Sequence, residues 1–207
     1  LLLGPLLVPV PLRSVAAGKG RVHLVIFHTN DVHAKIDNFA RIAALVARER
    51  RANPNVLLLS AGDNFSGNPV VDQAVPRGEP MLLLMNRLRY DAMELGNHDF
   101  DFGQPVLNRF IRKARFPVLC ANVDLTAAKV RGVRPGTILR VGGVRIALLG
   151  LIQTEKESGI PSSHPARLEG MRFYDGLEYA KKLPPLRQGA DVALVLSHLG
   201  VEVDTKL

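Results

Sequence analysis

The residues most suited to chemistry lie at the ends of predicted strands. Asp31 and His33 come directly after the apolar segment 22–27, whose β-branched composition is typical of a buried strand. A carboxylate and an imidazole two residues apart in an extended segment project to the same side, so both can bind one cation. Similar residues follow three more predicted strands, namely Asp63, Asn97-His98-Asp99 and His198. Several strand ends that each deliver oxygen or nitrogen donors indicate a metal site.

The donor types predict a pair of divalent cations. Carboxylate, amide and imidazole groups suit Mn²⁺, Zn²⁺, Fe²⁺ or Co²⁺ better than a cysteine-type structural zinc site. Asp63 is the natural bridging ligand, since it is central in chain order and follows Gly62, which lets the backbone come close. Two cations about 3.5–4 Å apart generate hydroxide near neutral pH and hold the oxygens of an in-line displacement. Phosphate-ester hydrolysis requires both properties.

His98 and Asp101 form a second candidate group. Because side chains of adjacent residues project apart, we expect Asn97 to face a metal and His98 to face the substrate. Asp101, three residues after His98, can orient or charge the imidazole. The pair would then clamp the phosphate and act as general acid for the leaving alkoxide.

Alternating strands and helices are expected to position these groups. Amphipathic spacing predicts helices over 35–51, 78–88, 105–114 and 175–187, and apolar runs predict strands over 56–60, 92–95, 117–121 and 191–196. Gly142-Gly143 between two further strands is a hairpin turn, which adds antiparallel pairing. The expected fold class is therefore α/β, with mixed β-sheet layers flanked by helices. In such sheets functional groups collect outside the carboxyl ends of the strands.

The composition favours one well-buried domain. The chain has 207 residues, of which 47% are hydrophobic and only 5% aromatic, as suits an aliphatic α/β core. A single cysteine, Cys120, excludes an intrachain disulfide and a cysteine-based metal site. The net charge of +8 would permit nucleic-acid binding. However, the basic residues are scattered and lie late in predicted helices, where cations favour the helix dipole, so we expect no specific nucleic-acid binding.

The first twenty residues differ from the rest. Residues 1–12 are apolar but too short and too rich in proline to span a bilayer as a helix. Residues 14–18 are small, as before a signal-peptidase cut. We expect residues 1–20 to be the remnant of a signal peptide or a disordered leader, and residues 21–207 to form the catalytic domain. The first alternative predicts an exported protein, periplasmic or at the cell surface, and no transmembrane span is expected.

Four sequence blocks resemble, in order, those of the bacterial 5′-nucleotidase branch of the calcineurin-like metallophosphoesterases. The blocks are His28-Thr29-Asn30-Asp31-Val32-His33, Gly62-Asp63, Gly96-Asn97-His98-Asp99-Phe100-Asp101-Phe102-Gly103 and Ser197-His198. The resemblance implies a metallophosphoesterase-type sandwich with two divalent metals. It also implies a 5′-nucleotidase-type phosphomonoesterase, which converts a nucleotide to a nucleoside and phosphate.

The same resemblance implies a role for individual residues. The implied metal ligands are Asp31 and His33 for the first metal, Asp63 for both, and Asn97 and His198 for the second. The implied catalytic dyad is His98 with Asp101. Asn122 matches a position near the substrate, and Asp99 stands where many relatives have a Glu that is not a ligand.

One departure concerns a later Gly-His-x-His block of the family, which supplies a further histidine to each metal and precedes a nucleotide-binding domain. The sequence ends at Leu207 without either, so we expect a domain that is incomplete at its C-terminus. The leading hypothesis is a hydrolase of nucleotides, with cyclic-nucleotide phosphodiesterase or sugar-nucleotide hydrolase activity as alternatives within the class. The other hypothesis is a truncated, inactive domain that binds phosphorylated ligands or polyanions through its basic surface.

Overall fold

A four-stranded parallel sheet forms the centre of the fold. The computed structural model describes residues 21–181 and 188–207. The strands, in their order across the sheet, are β1 (Val25–Thr29), β2 (Val56–Ser60), β3 (Ala92–Glu94) and β4 (Val118–Leu119). Parallel neighbours need a crossover connection, and helices supply each one. These helices are α1 (Phe39–Ala52), α2 (Pro69–Asp72), α3 (Glu79–Leu88) and α4 (Gly103–Lys113).

A second, mixed sheet lies against the first. Strand β7 (Val144–Ile152) pairs antiparallel with β6 (Gly136–Val141) and parallel with β9 (Val192–His198). Strands β5 (Val123–Asp124) and β8 (Arg172–Phe173) form a small antiparallel ribbon. In the part of the chain that the structure describes, the remaining helices are α5 (Gly176–Ala180) and α6 (Val201–Asp204), and the 3-10 turns are Ile36–Asn38, Asn97–Phe100 and Pro165–Arg167. The predicted α/β class with mixed sheet layers and flanking helices is confirmed.

Strand β2 is buried on both faces. Leu58 packs with Met85 and the other apolar residues of the helical layer. Leu57 and Leu59 point to the opposite side, as the pleat requires, and pack with Ile146 of the mixed sheet. Residues 56–59 are therefore a continuous apolar run, because helices cover one face of the parallel sheet and the mixed sheet covers the other.

The predicted elements are present with shifted ends. The first strand begins at Val25 rather than at residue 22, and the first helix begins at Phe39, after a 3-10 turn, rather than at residue 35. Strand β9 continues to His198, so the imidazole is on the last residue of the strand. The predicted continuation of α5 to residue 187 and the predicted leader over 1–20 lie outside the described residues. Within the described ranges, no helix has the length and apolar character needed to cross a membrane.

Glu94 places a carboxyl group between the two sheets. Its side chain has 0% exposure, and neither oxygen makes a hydrogen bond of normal geometry to a described residue. The carboxyl lies against Gly150 of β7, where an added Cβ would be 1.6 Å from Oε2. Burial raises the pKa of Glu94 well above its ordinary value, and the neighbouring Cys120 thiol offsets this only in part. Glu94 is therefore protonated in the folded protein under conditions that ionise it in the unfolded chain.

The stability of the fold should depend on the protonation of Glu94. Since its folded pKa is raised, the contribution of protonated Glu94 is complete below the ordinary pKa and is lost as the pH rises toward the folded pKa. We expect the stability of Glu94→Gln relative to that of wild type to increase by about 1 kcal/mol or more between pH 5 and pH 8. Urea unfolding at the two pH values measures this difference. Glu157→Gln, at an exposed position, is the control, and an unchanged difference at both pH values would contradict the prediction.

Candidate metal centre

The loops after β1 and β2 run side by side at the carboxyl edge of the parallel sheet. The backbone N–H of His33 donates to the carbonyl of Asp63 at 2.9 Å, and the N–H of Ala34 donates to the carbonyl of Asn64 at 3.0 Å. Asp31, His33 and Asp63 have φ angles of 51°, 45° and 53°, in the left-handed region that non-glycine residues seldom adopt. These sharp turns direct the three side chains toward one another, and such strained backbone is concentrated at functional sites.

Gly62 and Gly96 allow the loop after β3 to pack directly against the loop after β2. An added Cβ on Gly96 would lie 2.1 Å from Asp63 Oδ1 and 2.4 Å from the Asp63 nitrogen. An added Cβ on Gly62 would lie 2.6 Å from the Gly96 nitrogen and 2.9 Å from His198 Nδ1. The loops therefore meet at a separation that only glycine permits.

The Asp99 carboxylate links the loop after β2 to the loop after β3. It accepts the N–H groups of Gly96 at 2.9 Å, Asp63 at 3.0 Å and Asn64 at 3.0 Å. The residue is only 1% exposed, and burial together with the charge of Asp63 raises the pKa of Asp99 to about 7, against the opposing effect of the backbone donors. Asp99 is thus the structural anchor of the loop that carries Asp63, a role that its position in the sequence did not indicate.

Asp63 lies at the centre of the site. It is 2% exposed, and its Oδ2 is 3.6 Å from His33 Nε2 and 3.5 Å from His198 Nε2. Its Oδ1 accepts the backbone N–H of His98 at 2.8 Å. Burial alone would raise the pKa of Asp63, but the hydrogen bond and charge of His198 and the His98 N–H outweigh it, so the pKa is lowered. A buried, ionised carboxylate between two imidazoles is well suited to bridge cations.

His198 is oriented by the backbone. Its Nδ1 is 2.7 Å from the carbonyl oxygen of Ala61, which can only accept, so Nδ1 carries a hydrogen and Nε2 faces the site. There Nε2 lies 3.3 Å from Asn97 Oδ1. Burial would lower the pKa of His198, but the hydrogen bond and charge of Asp63 raise it to about 9. The Asp63 carboxylate thus favours the charged form of the His198 imidazole.

The donor set fits two divalent cations. Ligand atoms of His33, Asp63 and His98 lie within 4.8 Å of one another, and so do those of Asp31, Asp63 and His198. Asp63 belongs to both groups, as a bridging ligand must. Carboxylate oxygens and imidazole nitrogens are the donors expected for Mn²⁺, Zn²⁺, Fe²⁺ or Co²⁺.

The structure brings together all five ligands predicted from the sequence, Asp31, His33, Asp63, Asn97 and His198. The geometry is compatible with the expected pairing of Asp31 and His33, since Asp31 Oδ1 lies 3.6 Å from His33 Nε2. Ligand atoms of Asp31 also lie close to those of His198, and ligand atoms of His33 close to those of His98. The assignment of each residue to a particular metal stays a prediction.

The two members of the predicted dyad are in direct contact. His98 Nδ1 lies 2.8 Å from Asp101 Oδ2, and the His98 ring stands edge-on to the His33 ring with 4.8 Å between centroids. Because Nδ1 is engaged by the carboxylate, Nε2 is the nitrogen available to a substrate. The His98 side chain is 40% exposed, so solvent and ligands have access to it.

Asn122 is in a different environment. It is 0% exposed, its Oδ1 accepts the N–H of Ile152 at 3.0 Å, and its Nδ2 donates to the carbonyls of Ile152 and Tyr174, each at 2.8 Å. These bonds join β7 to the segment after β8. The structure thus gives Asn122 a backbone-positioning role, and the substrate contact expected from the sequence stays a prediction.

Two further side chains at the site were not predicted. Ser66 and Arg167 both hydrogen-bond to Asp101. Arg167 belongs to the polar segment after β7, which carries no periodic pattern from which its position could be inferred.

The comparisons with known proteins agree with this geometry. Residues 24–205 match the family described as Calcineurin-like phosphoesterase. The 5′-nucleotidase of Homo sapiens is 34% identical over 208 residues, which cover 89% of this chain and 35% of that protein. The snake venom 5′-nucleotidase of Gloydius brevicauda is 35% identical over 219 residues, with coverages of 94% and 35%.

A solved structure extends the likeness to the fold. The crystal structure of the 5′-nucleotidase precursor from Thermus thermophilus matches with a TM-score of 0.76 and 35% identity, over 88% of this chain and 38% of that one. This chain therefore spans about a third of the length of these 5′-nucleotidases. The match over residues 24–205 includes every residue of the candidate metal centre, and the chain belongs to the calcineurin-like phosphoesterase family, with 5′-nucleotidases among its relatives.

Proposed function

We propose that this chain is the catalytic domain of a 5′-nucleotidase-type phosphomonoesterase, which uses two divalent metals to convert a nucleotide to a nucleoside and phosphate. The observation that supports it most is Asp63, a buried carboxylate shared by two groups of metal-binding side chains. The named 5′-nucleotidases among its relatives support the nucleotide as substrate. The metals are drawn from Mn²⁺, Zn²⁺, Co²⁺ and Fe²⁺, which share this donor set.

The residues of the site have separate tasks in this mechanism. Asp31, His33, Asp63, Asn97 and His198 would hold the metals, which when bound would supply a hydroxide nucleophile and neutralise charge on the phosphate. His98 presents Nε2 to the leaving oxygen of the nucleoside and donates a proton from that atom. Asp101 stabilises the imidazolium and fixes the proton on Nδ1. Such proton transfer contributes about 10²–10⁴-fold to rate.

Phosphate release from AMP by the purified chain, with Mn²⁺ and with a chelator, tests the proposal. We expect release that requires the metal and stops with the chelator. Parallel assays with cyclic AMP and with a sugar nucleotide separate the alternatives within the class. Metal-dependent cleavage of either of these with no release from AMP would overturn the monoesterase assignment but keep the metal mechanism.

A specific surface supports the second hypothesis, polyanion binding. The arginines at the carboxyl ends of α1 and α3 line a cavity of about 500 Å³, on the edge of the sheet opposite the metal centre. Arg50 joins the two helix ends by donating to the carbonyls of Leu88 and Arg89 at 2.6 and 2.8 Å. Among the described residues, Arg51, Arg87 and Arg89 have no carboxylate within ion-pair distance. Their free guanidinium groups are suited to phosphate.

Binding of inorganic polyphosphate distinguishes this hypothesis. A polyanion-binding domain would bind polyphosphate with an affinity that falls steeply with salt, would lose it in Arg87→Ala, and would show no metal-dependent turnover. Metal-dependent phosphate release from AMP with no such binding would reject it.

A further inference from the structure

Asp101 has more partners than a simple dyad requires. Its Oδ2 lies 2.8 Å from His98 Nδ1 and accepts the Ser66 hydroxyl at 2.6 Å. Its Oδ1 accepts Nη1 of Arg167 at 2.9 Å. Three donors on two sides of one carboxylate leave it little freedom to rotate. The Arg167 contact is charge-assisted, so it is among the stronger hydrogen bonds available to Asp101.

The backbone around Arg167 is fixed by hydrogen bonds to the side chain of Gln104. Arg167 ends the 3-10 turn Pro165–Arg167. Gln104, at the start of α4, donates from Nε2 to the carbonyl of Glu169 at 2.8 Å and to that of Arg167 at 3.4 Å, while its Oε1 accepts the N–H of Lys129 at 2.8 Å. Gln104 is buried. The guanidinium therefore approaches Asp101 from a turn that is fixed to the helix following the dyad.

The same segment contacts the metal-ligand side of the site. The carbonyl oxygen of Ser162 accepts Nδ2 of Asn97 at 3.0 Å. This bond sets the amide so that Oδ1 faces His198. One segment, residues 162–167, thus supports both neighbours in the Asn97-His98 pair.

We propose that Arg167 and Ser66 are positioning residues for the His98–Asp101 dyad. They hold the Asp101 carboxylate in the orientation that accepts Nδ1–H of His98, and so direct Nε2 of His98 toward the leaving oxygen. Without them Asp101 can rotate, and the His98 ring, which is partly exposed, can swing away from the site. The proposal rests on the function proposed above, since it concerns proton donation to the leaving group.

Two substrates with different leaving groups distinguish a residue that positions the His98–Asp101 dyad from one that binds the substrate. The nucleoside alkoxide of AMP needs a proton as it leaves, whereas p-nitrophenolate is stable as an anion and does not. We expect Arg167→Ala and Ser66→Ala in the Mn²⁺-loaded protein to lower kcat for AMP about 10-fold or more, and kcat for p-nitrophenyl phosphate less than about 2-fold. Added guanidinium ion should restore part of the AMP activity of Arg167→Ala but none of that of Ser66→Ala. Arg112→Ala, which removes the same charge at the far end of α4, is the control.

A second readout does not depend on turnover. In ¹⁵N-edited NMR spectra of the metal-free protein, His98 should show a proton on Nδ1 and a single ring environment. In Arg167→Ala the His98 ring nitrogens should show exchange between the two tautomers and averaged chemical shifts. In Arg112→Ala the His98 signals should match those of wild type. A wild-type chain without activity would count against the proposed function but leave this spectroscopic test intact.

Three outcomes would overturn the positioning role. The first is an equal loss of kcat for AMP and for p-nitrophenyl phosphate. The second is a raised KM with unchanged kcat in Arg167→Ala, which would mean that Arg167 binds the phosphate directly. The third is an unchanged His98 spectrum in Arg167→Ala.

Discussion

Asp63→Asn should abolish metal-dependent activity by disabling both halves of the metal centre at once. The carboxylate belongs to both groups of candidate metal-binding side chains, and its Oδ2 lies 3.5–3.6 Å from the imidazoles of His33 and His198. An amide there keeps the shape but supplies one neutral oxygen in place of a shared negative charge. We expect phosphate release from AMP to fall by at least about 100-fold, and calorimetric titration with Mn²⁺ to show greatly weakened binding.

Asp31→Asn is the matched comparison. Asp31 belongs to only one of the two groups, and its side chain is about half exposed. This variant should therefore weaken the binding of one metal and leave the other near its wild-type affinity. If Asp63→Asn kept full activity, or if the two variants lost metal binding identically, Asp63 would not be a bridging ligand.

Asp99→Ala should strongly destabilise the fold. The carboxylate accepts the buried N–H groups of Gly96, Asp63 and Asn64, and removing it leaves these donors without a partner. Each buried donor left unsatisfied costs about 1–3 kcal/mol, so we expect a loss of at least about 3 kcal/mol in the free energy of unfolding. Urea unfolding of the metal-free protein measures this loss without any contribution from metal binding.

Asp99→Asn distinguishes the loss of one hydrogen-bond acceptor from the loss of the whole side chain. It keeps one carbonyl oxygen but turns an NH₂ group toward a backbone donor, so its loss should lie between those of wild type and Asp99→Ala. If Asp99→Ala were as stable as wild type, the hydrogen bonds to the loop of Asp63 would contribute nothing to folding.

That the candidate ligands lie close together could be predicted from the sequence, because each is at or just after the end of a predicted strand. Parallel strands bring their carboxyl ends to one edge, so Asp31, Asp63 and Asn97 converge whatever the exact strand length. The sandwich brings His198 to the same place from the second sheet, where β9 pairs with β7 up to Ile152 and His198 themselves.

The supporting contacts could not be predicted in this way. Asp99 binds the loop of Asp63 across 34–36 positions in the chain, and Arg167 binds Asp101 across 66. Such partners depend on the tertiary path of a loop, which no periodicity encodes. The start of α1 was missed for a local reason, since His33 and Ala34 adopt left-handed φ angles and a 3-10 turn precedes the helix.

The central claim is that one buried carboxylate joins two metals, and anomalous diffraction tests it most directly. Crystals of the chain grown with Zn²⁺ should show two anomalous peaks about 3.5–4 Å apart, both within about 2.0–2.2 Å of an Asp63 oxygen. One peak should lie beside His33 and the other beside His198. No peak near Asp63, or a single peak that leaves either imidazole without a metal at saturating Zn²⁺, would contradict the dinuclear site in this chain.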